Sequence, residues 1–169
     1  MSKDYLIDTN FASCLFVTSR KDHPQAYSFW QGVKAAGGRM YLSRIAIAEA
    51  EFGLALNPVL PATVRQEMEN GLRAYQVKEI EKYTTPKYAE IRAALYDQKC
   101  PRDRRGKIRT NLRPEYFTAL SPTAYELGIQ ENDLWLAAIA TRYNMGLVTD
   151  DRMRQIRDVF PSLVLVPWK

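Results

Sequence analysis

Residues 5–10, Tyr-Leu-Ile-Asp-Thr-Asn, place a short apolar run directly before three polar side chains. An apolar run of this length, followed by a helical pattern, is typical of a buried strand that ends where a helix begins. Short strands that alternate with longer helices favour an α/β fold, in which helices cover both faces of a largely parallel sheet. The same alternation recurs along the chain and predicts strands at residues 5–7, 40–43, 79–83, 146–149 and 163–166.

Helical patterns fill the gaps between these strands. Pro24, Pro61 and Pro86 each fit an early helical position, where the missing backbone N–H costs nothing. The resulting architecture has three layers, α/β/α, with a parallel sheet in the middle. The first helix is expected to begin at Thr9 or Asn10, and the others to cover residues 24–36, 44–57, 61–75, 86–99, 132–143 and 151–159.

Length and composition limit the number of domains and the class of protein. With 169 residues, of which 46% are hydrophobic, we expect one domain over residues 1–169 with a substantial core. No apolar run approaches the roughly 20 residues needed to span a bilayer, so a cytoplasmic protein without a membrane segment is expected. Cys14 and Cys100 are far apart in sequence and lack the spacing of a zinc site, so neither a disulfide framework nor a zinc site is indicated.

Residues 97–127 break the alternating pattern and are interpreted as a basic insertion, either a long loop or an added lobe. They contain three prolines and a dense group of cations, in a chain with 24 Lys+Arg against 19 Asp+Glu. Such a stretch can lie along phosphates, with Tyr116 and Phe117 stacking on bases, or it can be a solvated surface loop. The candidate RNA-binding residues are Arg102, Arg104, Arg105, Lys107, Arg109 and Arg113.

Four acidic residues in apolar or helix-starting surroundings are the candidate site: Asp8, Glu49, Asp133 and Asp151. Asp8 follows the first strand, where it can cap a helix or face a ligand at the carboxyl edge of the sheet. The Asp150-Asp151 pair offers the same two roles, and spacing alone does not say which aspartate caps the helix. Partly buried carboxylates are costly unless a positive charge lies among them, which favours a bound divalent cation.

The other two acids lie on helices. Glu49 falls on the stripe of Ile45, Phe52 and Leu56, which is interpreted as the core-facing side of its helix, whereas Glu51 is interpreted as solvated. Asp133 precedes seven residues without a polar side chain, and Asn132 is the expected N-cap. That assignment leaves Asp133 without a capping role, although it can also simply favour the helix dipole.

The residue types limit which metal ions and catalytic mechanisms fit the candidate site. Carboxylates without sulfur or imidazole suit Mg²⁺ or Mn²⁺ rather than zinc or copper. The single histidine, His23, has no partner for a Ser/His/Asp, Cys/His or histidine acid–base mechanism. The sequence also lacks the glycine-rich motifs of nucleotide-cofactor sites.

The four acidic motifs, taken in order, resemble those of the PIN-domain family, in particular the VapC-like toxin ribonucleases of type II toxin-antitoxin modules. The motifs are YLIDTN, LSRIAIAEAEFGL, NDLWLAAIA and LVTDDR, and from the first to the last they span most of the chain. Within them, Ser43 and Gly53 frame Glu49 as in the family, and the Thr149-x-Asp151 spacing selects Asp151 over Asp150. Residues 97–127 depart from the family pattern in length.

The resemblance implies an endoribonuclease that depends on Mg²⁺ or Mn²⁺ and leaves 5′-phosphate and 3′-hydroxyl ends. It also implies a homodimer held inactive by a cognate antitoxin. Asp8, Glu49, Asp133 and Asp151 would hold the cation, directly or through water. The residues expected to orient these carboxylates are Thr9, Asn10, Ser43, Asn132, Thr149 and Asp150.

Two other classes compete with this interpretation. A PIN-like module that only binds RNA or a protein partner is the main alternative, but such a module would be expected to lack part of the acidic set. A phosphoacceptor receiver domain needs an acidic pair after the first strand and a lysine at a late strand end. Asp8-Thr9 and Thr149-Asp150 supply neither.

Overall fold

The computed structural model describes residues 4–99, 104–107 and 130–169. They form a five-stranded sheet of order β3-β2-β1-β4-β5, in which every neighbouring pair is parallel. Seven helices in these ranges cover the two faces of the sheet, so the predicted three-layer α/β/α fold is confirmed. The strands are β1 (Asp4–Ile7), β2 (Arg39–Ser43), β3 (Gln76–Lys78), β4 (Gly146–Val148) and β5 (Leu165–Val166).

Two apolar cores lie on opposite faces of the sheet. Ile7, Leu42 and Val148 point to one face, and Leu6, Tyr41 and Leu147 point to the other. This division follows from the alternation of side chains along a strand. The helices are α1 (Thr9–Phe16), α2 (His23–Ala35), α3 (Arg44–Leu56), α4 (Ala62–Ala74), α5 (Thr84–Lys99), α6 (Glu131–Arg142) and α7 (Arg154–Val159).

The predicted position of β3 was wrong. The alternating residues 79–83 lie after the strand, and the three residues that pair with β2 are Gln76–Lys78, in a register that joins Leu42 to Val77. Glu79 instead forms a bidentate ion pair with Arg44. The strand ends at Lys78, one residue after Val77, its apolar residue.

The predicted core-facing stripe of α3 was also wrong. Phe52 and Leu56 are 64% and 63% exposed, whereas the buried side of α3 is formed by the small and aliphatic residues Ala46, Ile47, Ala50 and Leu54. Glu49 is therefore on a half-buried side of the helix and not in the core. The solvated position of Glu51 is confirmed.

Close packing of α1 against α4 depends on Gly71. A Cβ at this position would lie 2.2 Å from Cγ and 2.7 Å from Cβ of Phe16. We expect Gly71→Ala to lower the free energy of unfolding, measured by urea denaturation, by about 1–3 kcal/mol, because the aromatic ring must move. Gly32→Ala on α2 is the matched control, since nothing lies within 4 Å of its Cβ, and it should stabilise by up to about 1 kcal/mol. Equal stability of Gly71→Ala and wild type would show that Phe16 moves aside without cost.

Candidate active site

The candidate site lies at the carboxyl edge of the sheet, where the chain order reverses around β1. From β1 the chain passes to β2 and β3 on one side, and later to β4 and β5 on the other. In open α/β sheets, such a reversal leaves a crevice at the strand ends in which ligands bind. Asp8 and Thr149 directly follow the two neighbouring strands at this point.

Asp8 is buried at the junction of β1 and α1, with 6% of its surface exposed. It is the N-cap of α1, and its Oδ1 accepts a hydrogen bond from the Phe11 N–H at 2.6 Å. The Thr149 side chain also hydrogen-bonds the Asp8 carboxylate. Capping and facing the crevice are therefore not alternatives for Asp8, because one carboxylate does both.

Glu49 is oriented by hydrogen bonds from two other segments of the chain. The Thr9 hydroxyl donates to its Oε2, and Asn132 Nδ2 donates to its Oε1 at 2.6 Å. α1, α3 and α6 therefore meet at one carboxylate. Both donors were among the residues expected to orient the acids.

Asp133 lies in the first turn of α6, but the predicted cap was wrong. The N-cap is Gln130, not Asn132, and the Asp133 Oδ2 accepts a hydrogen bond from the Gln130 backbone N–H at 3.3 Å. The Asp133 carboxylate therefore takes part in capping α6, contrary to the prediction that it has no capping role. Asn132 is consequently available to bind Glu49.

The segment after β4 is irregular, and α7 begins later than predicted, at Arg154. Neither aspartate is the N-cap. That position is Met153, which has a left-handed backbone with φ of 40°. The Thr149 Oγ1 accepts from the Asp151 N–H, and the Asp151 Oδ1 accepts from the Met153 N–H, both at 3.0 Å. These bonds fix Asp151 in an exposed turn at the sheet edge.

Electrostatic interactions couple the acidic residues. The pKa of Asp8 is raised from 3.8 to about 6, mainly by burial; the hydrogen bonds from Thr149 and Phe11 lower it, and the charges of Asp150 and Glu49 add to the increase. Burial likewise raises the pKa of Asp133 to about 6, with contributions from Asp151, Glu49 and Asp8. The structure therefore brings Asp8, Glu49, Asp133 and Asp151 into one negatively charged region. Such a region favours a cation.

In the arrangement shown, each carboxylate accepts from its own donors. Within the described residues, no three acidic, histidine or cysteine side chains converge closely enough to bind one ion. The donor set still fits a hard divalent cation, because it consists of carboxylate oxygens with amide and hydroxyl neighbours.

The three remaining residues that were expected to orient the carboxylates, Ser43, Asn10 and Asp150, each have a different contact. Ser43 is buried, and its hydroxyl accepts from the Ala46 N–H at 2.9 Å as the N-cap of α3. Asn10 is exposed, and its carbonyl accepts from Ser13 Oγ at 3.0 Å. Asp150 forms an ion pair with Lys169, a residue that the sequence analysis missed because no motif signals it.

The basic insertion is described only in part. Arg104, Arg105 and Lys107 are exposed, whereas Arg102, Arg109, Arg113, Tyr116 and Phe117 lie outside the described residues. α5 extends into the predicted insertion as far as Lys99. The RNA-binding role of this stretch stays a prediction.

The family of this protein is identified by a match of its sequence to a known domain pattern. Residues 5–159 match the pattern of the PIN domain. The chain belongs to the PIN-domain family. PIN domains are in general nucleases, and PIN nucleases generally use divalent metals. No curated protein matches the sequence.

Solved structures of PIN proteins share the fold at low sequence identity. VapBC2 from Rickettsia felis, bound to a DNA fragment from its promoter, is 20% identical with a TM-score of 0.67, covering 98% of this chain and 99% of that chain. FitAcB from Neisseria gonorrhoeae is 18% identical with a TM-score of 0.62, covering 97% of this chain and 98% of that chain. DNA-bound VapBC from Salmonella typhimurium is 14% identical with a TM-score of 0.61 and full coverage of both chains.

Proposed function

We propose that this PIN protein is a metal-dependent endoribonuclease and the toxin of a type II toxin-antitoxin pair. The observation that carries the proposal is the coupling of four carboxylates at the strand-order reversal, two of which have a pKa raised to about 6. Two neighbouring groups whose pKa values are displaced by burial and mutual charge commonly mark a functional site. In this protein they would hold Mg²⁺ or Mn²⁺.

The residues of the chain would have distinct roles. Asp8, Glu49, Asp133 and Asp151 hold the cation, while Thr9, Asn132 and Thr149 fix the orientation of their carboxylates. A bound divalent cation would supply the Lewis-acid charge that phosphodiester hydrolysis needs. The basic chain as a whole, with a formal charge of +5, favours approach of a polyanion.

A protein partner is also part of the proposal. The structures of similar fold are complexes of VapBC and FitAB type, and here a cognate antitoxin would cover the acidic crevice. Phe52 and Leu56, one turn apart on α3, are exposed apolar side chains that support a protein interface. We further propose that residues 1–169 act as one domain, as a homodimer, in the cytoplasm. Within the described ranges, no helix is long and apolar enough to cross a membrane.

The direct test incubates purified protein with a single-stranded RNA and a DNA of the same sequence, with Mn²⁺ or Mg²⁺ and with EDTA. We expect cleavage of the RNA only, and no cleavage in EDTA. The products should carry 5′-phosphate ends, which is tested by whether their new 5′ ends can be labelled only after phosphatase treatment. Cleavage of DNA alone would contradict the proposal that RNA is the substrate. If the protein binds RNA without any ion-dependent cleavage, it is a non-catalytic binding module.

A further inference from the structure

The last residues of the chain run beside the candidate site. β5 pairs in parallel with β4, and the Thr149 N–H donates to the Val166 carbonyl at 3.2 Å. Trp168 is 6% exposed and packs edge-on against Phe11 with ring centroids 5.2 Å apart. The strand pairing and the aromatic contact together place Lys169 next to the segment that carries Asp150.

Lys169 bridges two carboxylates from separate parts of the fold. Its Nζ lies 2.8 Å from Asp150 Oδ2 and 3.1 Å from Asp22 Oδ2. Asp22 is the residue before α2, so the ammonium group joins the start of that helix to the turn after β4. The hydrogen bonds to Asp150 and Asp22 raise the pKa of Lys169, which keeps it charged.

Asp150 and Asp151 have different electrostatic neighbours. The charge of Asp150 acts on Asp8, whereas that of Asp151 acts on Asp133. Asp150 is thus within electrostatic range of Asp8, where its carboxylate attracts the same cation. Its contact with the Lys169 ammonium opposes this, because the carboxylate would have to leave a charge-assisted hydrogen bond.

We propose that Lys169 is a positioning residue whose ion pair holds Asp150 away from the acidic site. Asp151 is then the aspartate of the pair that contributes to the cation site. This inference rests on the proposed function, since it concerns the same cation site. It assigns a role to a residue outside the matched range 5–159. Loss of the ammonium group would release a fifth carboxylate beside Asp8.

The test measures Mn²⁺ affinity of the full chain by isothermal titration calorimetry. Lys169→Met keeps the length and apolar stem of the side chain, and we expect it to bind Mn²⁺ about tenfold more tightly. Lys169→Arg should bind Mn²⁺ with the wild-type affinity, because arginine keeps the ion pair with Asp150. In the Asp150→Asn background, Lys169→Met should change the affinity less than about twofold, because no carboxylate is then released.

Lys21→Met is the matched charge control. It removes a positive charge from an exposed residue next to Asp22 and should change Mn²⁺ affinity less than about twofold. The inference is overturned if Lys169→Met binds Mn²⁺ no more tightly than wild type. It is also overturned if the increase persists in the Asp150→Asn background, since loss of charge alone would then explain it. Absence of Mn²⁺ binding by wild type would instead contradict the proposed function, and this inference with it.

Discussion

Replacing Asp8 with asparagine is expected to abolish RNA cleavage while making the cation-free protein more stable. The loss of cleavage should be about a thousandfold or more, equivalent to about 4 kcal/mol of activation free energy, because Asp8 is one of the carboxylates proposed to hold the cation. The gain in stability has a separate cause. Asp8 is 6% exposed, and its ionised form is costly in that setting.

The size of the stability gain follows from the pKa of Asp8. Burial raises this pKa from 3.8 to about 6, and each unit corresponds to about 1.4 kcal/mol. Allowing for relaxation around the charge, we expect Asp8→Asn to stabilise by about 2 kcal/mol at pH 7.5 in EDTA. Asparagine is as good an N-cap as aspartate, so the hydrogen bond from the Phe11 N–H should persist.

The pH dependence has a definite sign. Because the folded-state pKa is raised, the folded protein binds more protons than the unfolded chain between pH 3.8 and about 6. Through these groups, stability of the cation-free protein should fall as pH rises through that window and stay low above it. Asp133, whose pKa is also raised to about 6, acts in the same direction.

Urea denaturation in EDTA at pH 5 and pH 7.5, followed by circular dichroism, measures these changes. Wild type should lose stability between the two pH values, and Asp8→Asn should lose less. Asp158→Asn is the charge control, because it removes an exposed carboxylate from α7 and should leave both stability and cleavage nearly unchanged. An Asp8→Asn protein that is less stable than wild type at pH 7.5, or that cleaves RNA within tenfold of it, would contradict this account of Asp8.

The second large effect is expected at Asn132. Its side-chain amide donates to Glu49 Oε1 at 2.6 Å, and its loss should leave Thr9 as the one donor to this carboxylate among the described residues. We expect Asn132→Ala to reduce cleavage by about 10- to 100-fold, as is usual when a partner that orients a ligand is removed. The melting temperature should change little, because Gln130 rather than Asn132 caps α6.

A double-mutant cycle with Glu49→Gln tests whether Asn132 affects cleavage through its contact with Glu49. If Asn132 acts through Glu49, then Asn132→Ala should reduce residual cleavage little further in the Glu49→Gln background. Asn70→Ala removes an amide from the exposed face of α4 and serves as the control. Equal losses in both backgrounds would show that Asn132 acts independently of Glu49.

Strands β1, β2 and β4 could be predicted because each is an apolar run that is buried on both faces. Their side chains fill two cores, so the sequence pattern and the packing agree. β3 could not be located from its pattern, because three residues at the edge of a sheet carry little hydrophobic signal. The alternating residues 79–83 offered a stronger pattern, and only the pairing of Val77 with Leu42 decides between them.

Helix faces and caps were harder to predict than the helices themselves. α3 is apolar or small nearly all round, and the packing buries its small residues while leaving Phe52 and Leu56 exposed. At α6, Asn132 is the better N-cap by residue type, but the structure uses Gln130. The Asp133 carboxylate compensates by accepting from the Gln130 N–H, an interaction that depends on three-dimensional position rather than on residue preference.

Asp8, Glu49 and Asp133 could be selected from sequence because of their apolar or helix-starting surroundings, whereas Asp151 was chosen over Asp150 by its resemblance to the family spacing. Their hydrogen-bond partners could be expected only as a group of nearby polar residues. The contact of Lys169 with Asp150 could not be expected, because it depends on where β5 brings the last residues of the chain. No local pattern encodes that approach.

The pairing of β5 with β4 has a consequence for where this folding unit ends. β5 and Trp168 lie beyond residue 159, the last residue that matches the PIN domain. A chain shortened at that point would turn β4 into an open edge and uncover the ring of Phe11. Exposed strand edges tend to pair with other chains, and the two-residue β5 is a shorter edge than the three-residue β4 would be, so residues 160–169 limit strand pairing between chains at this side of the sheet.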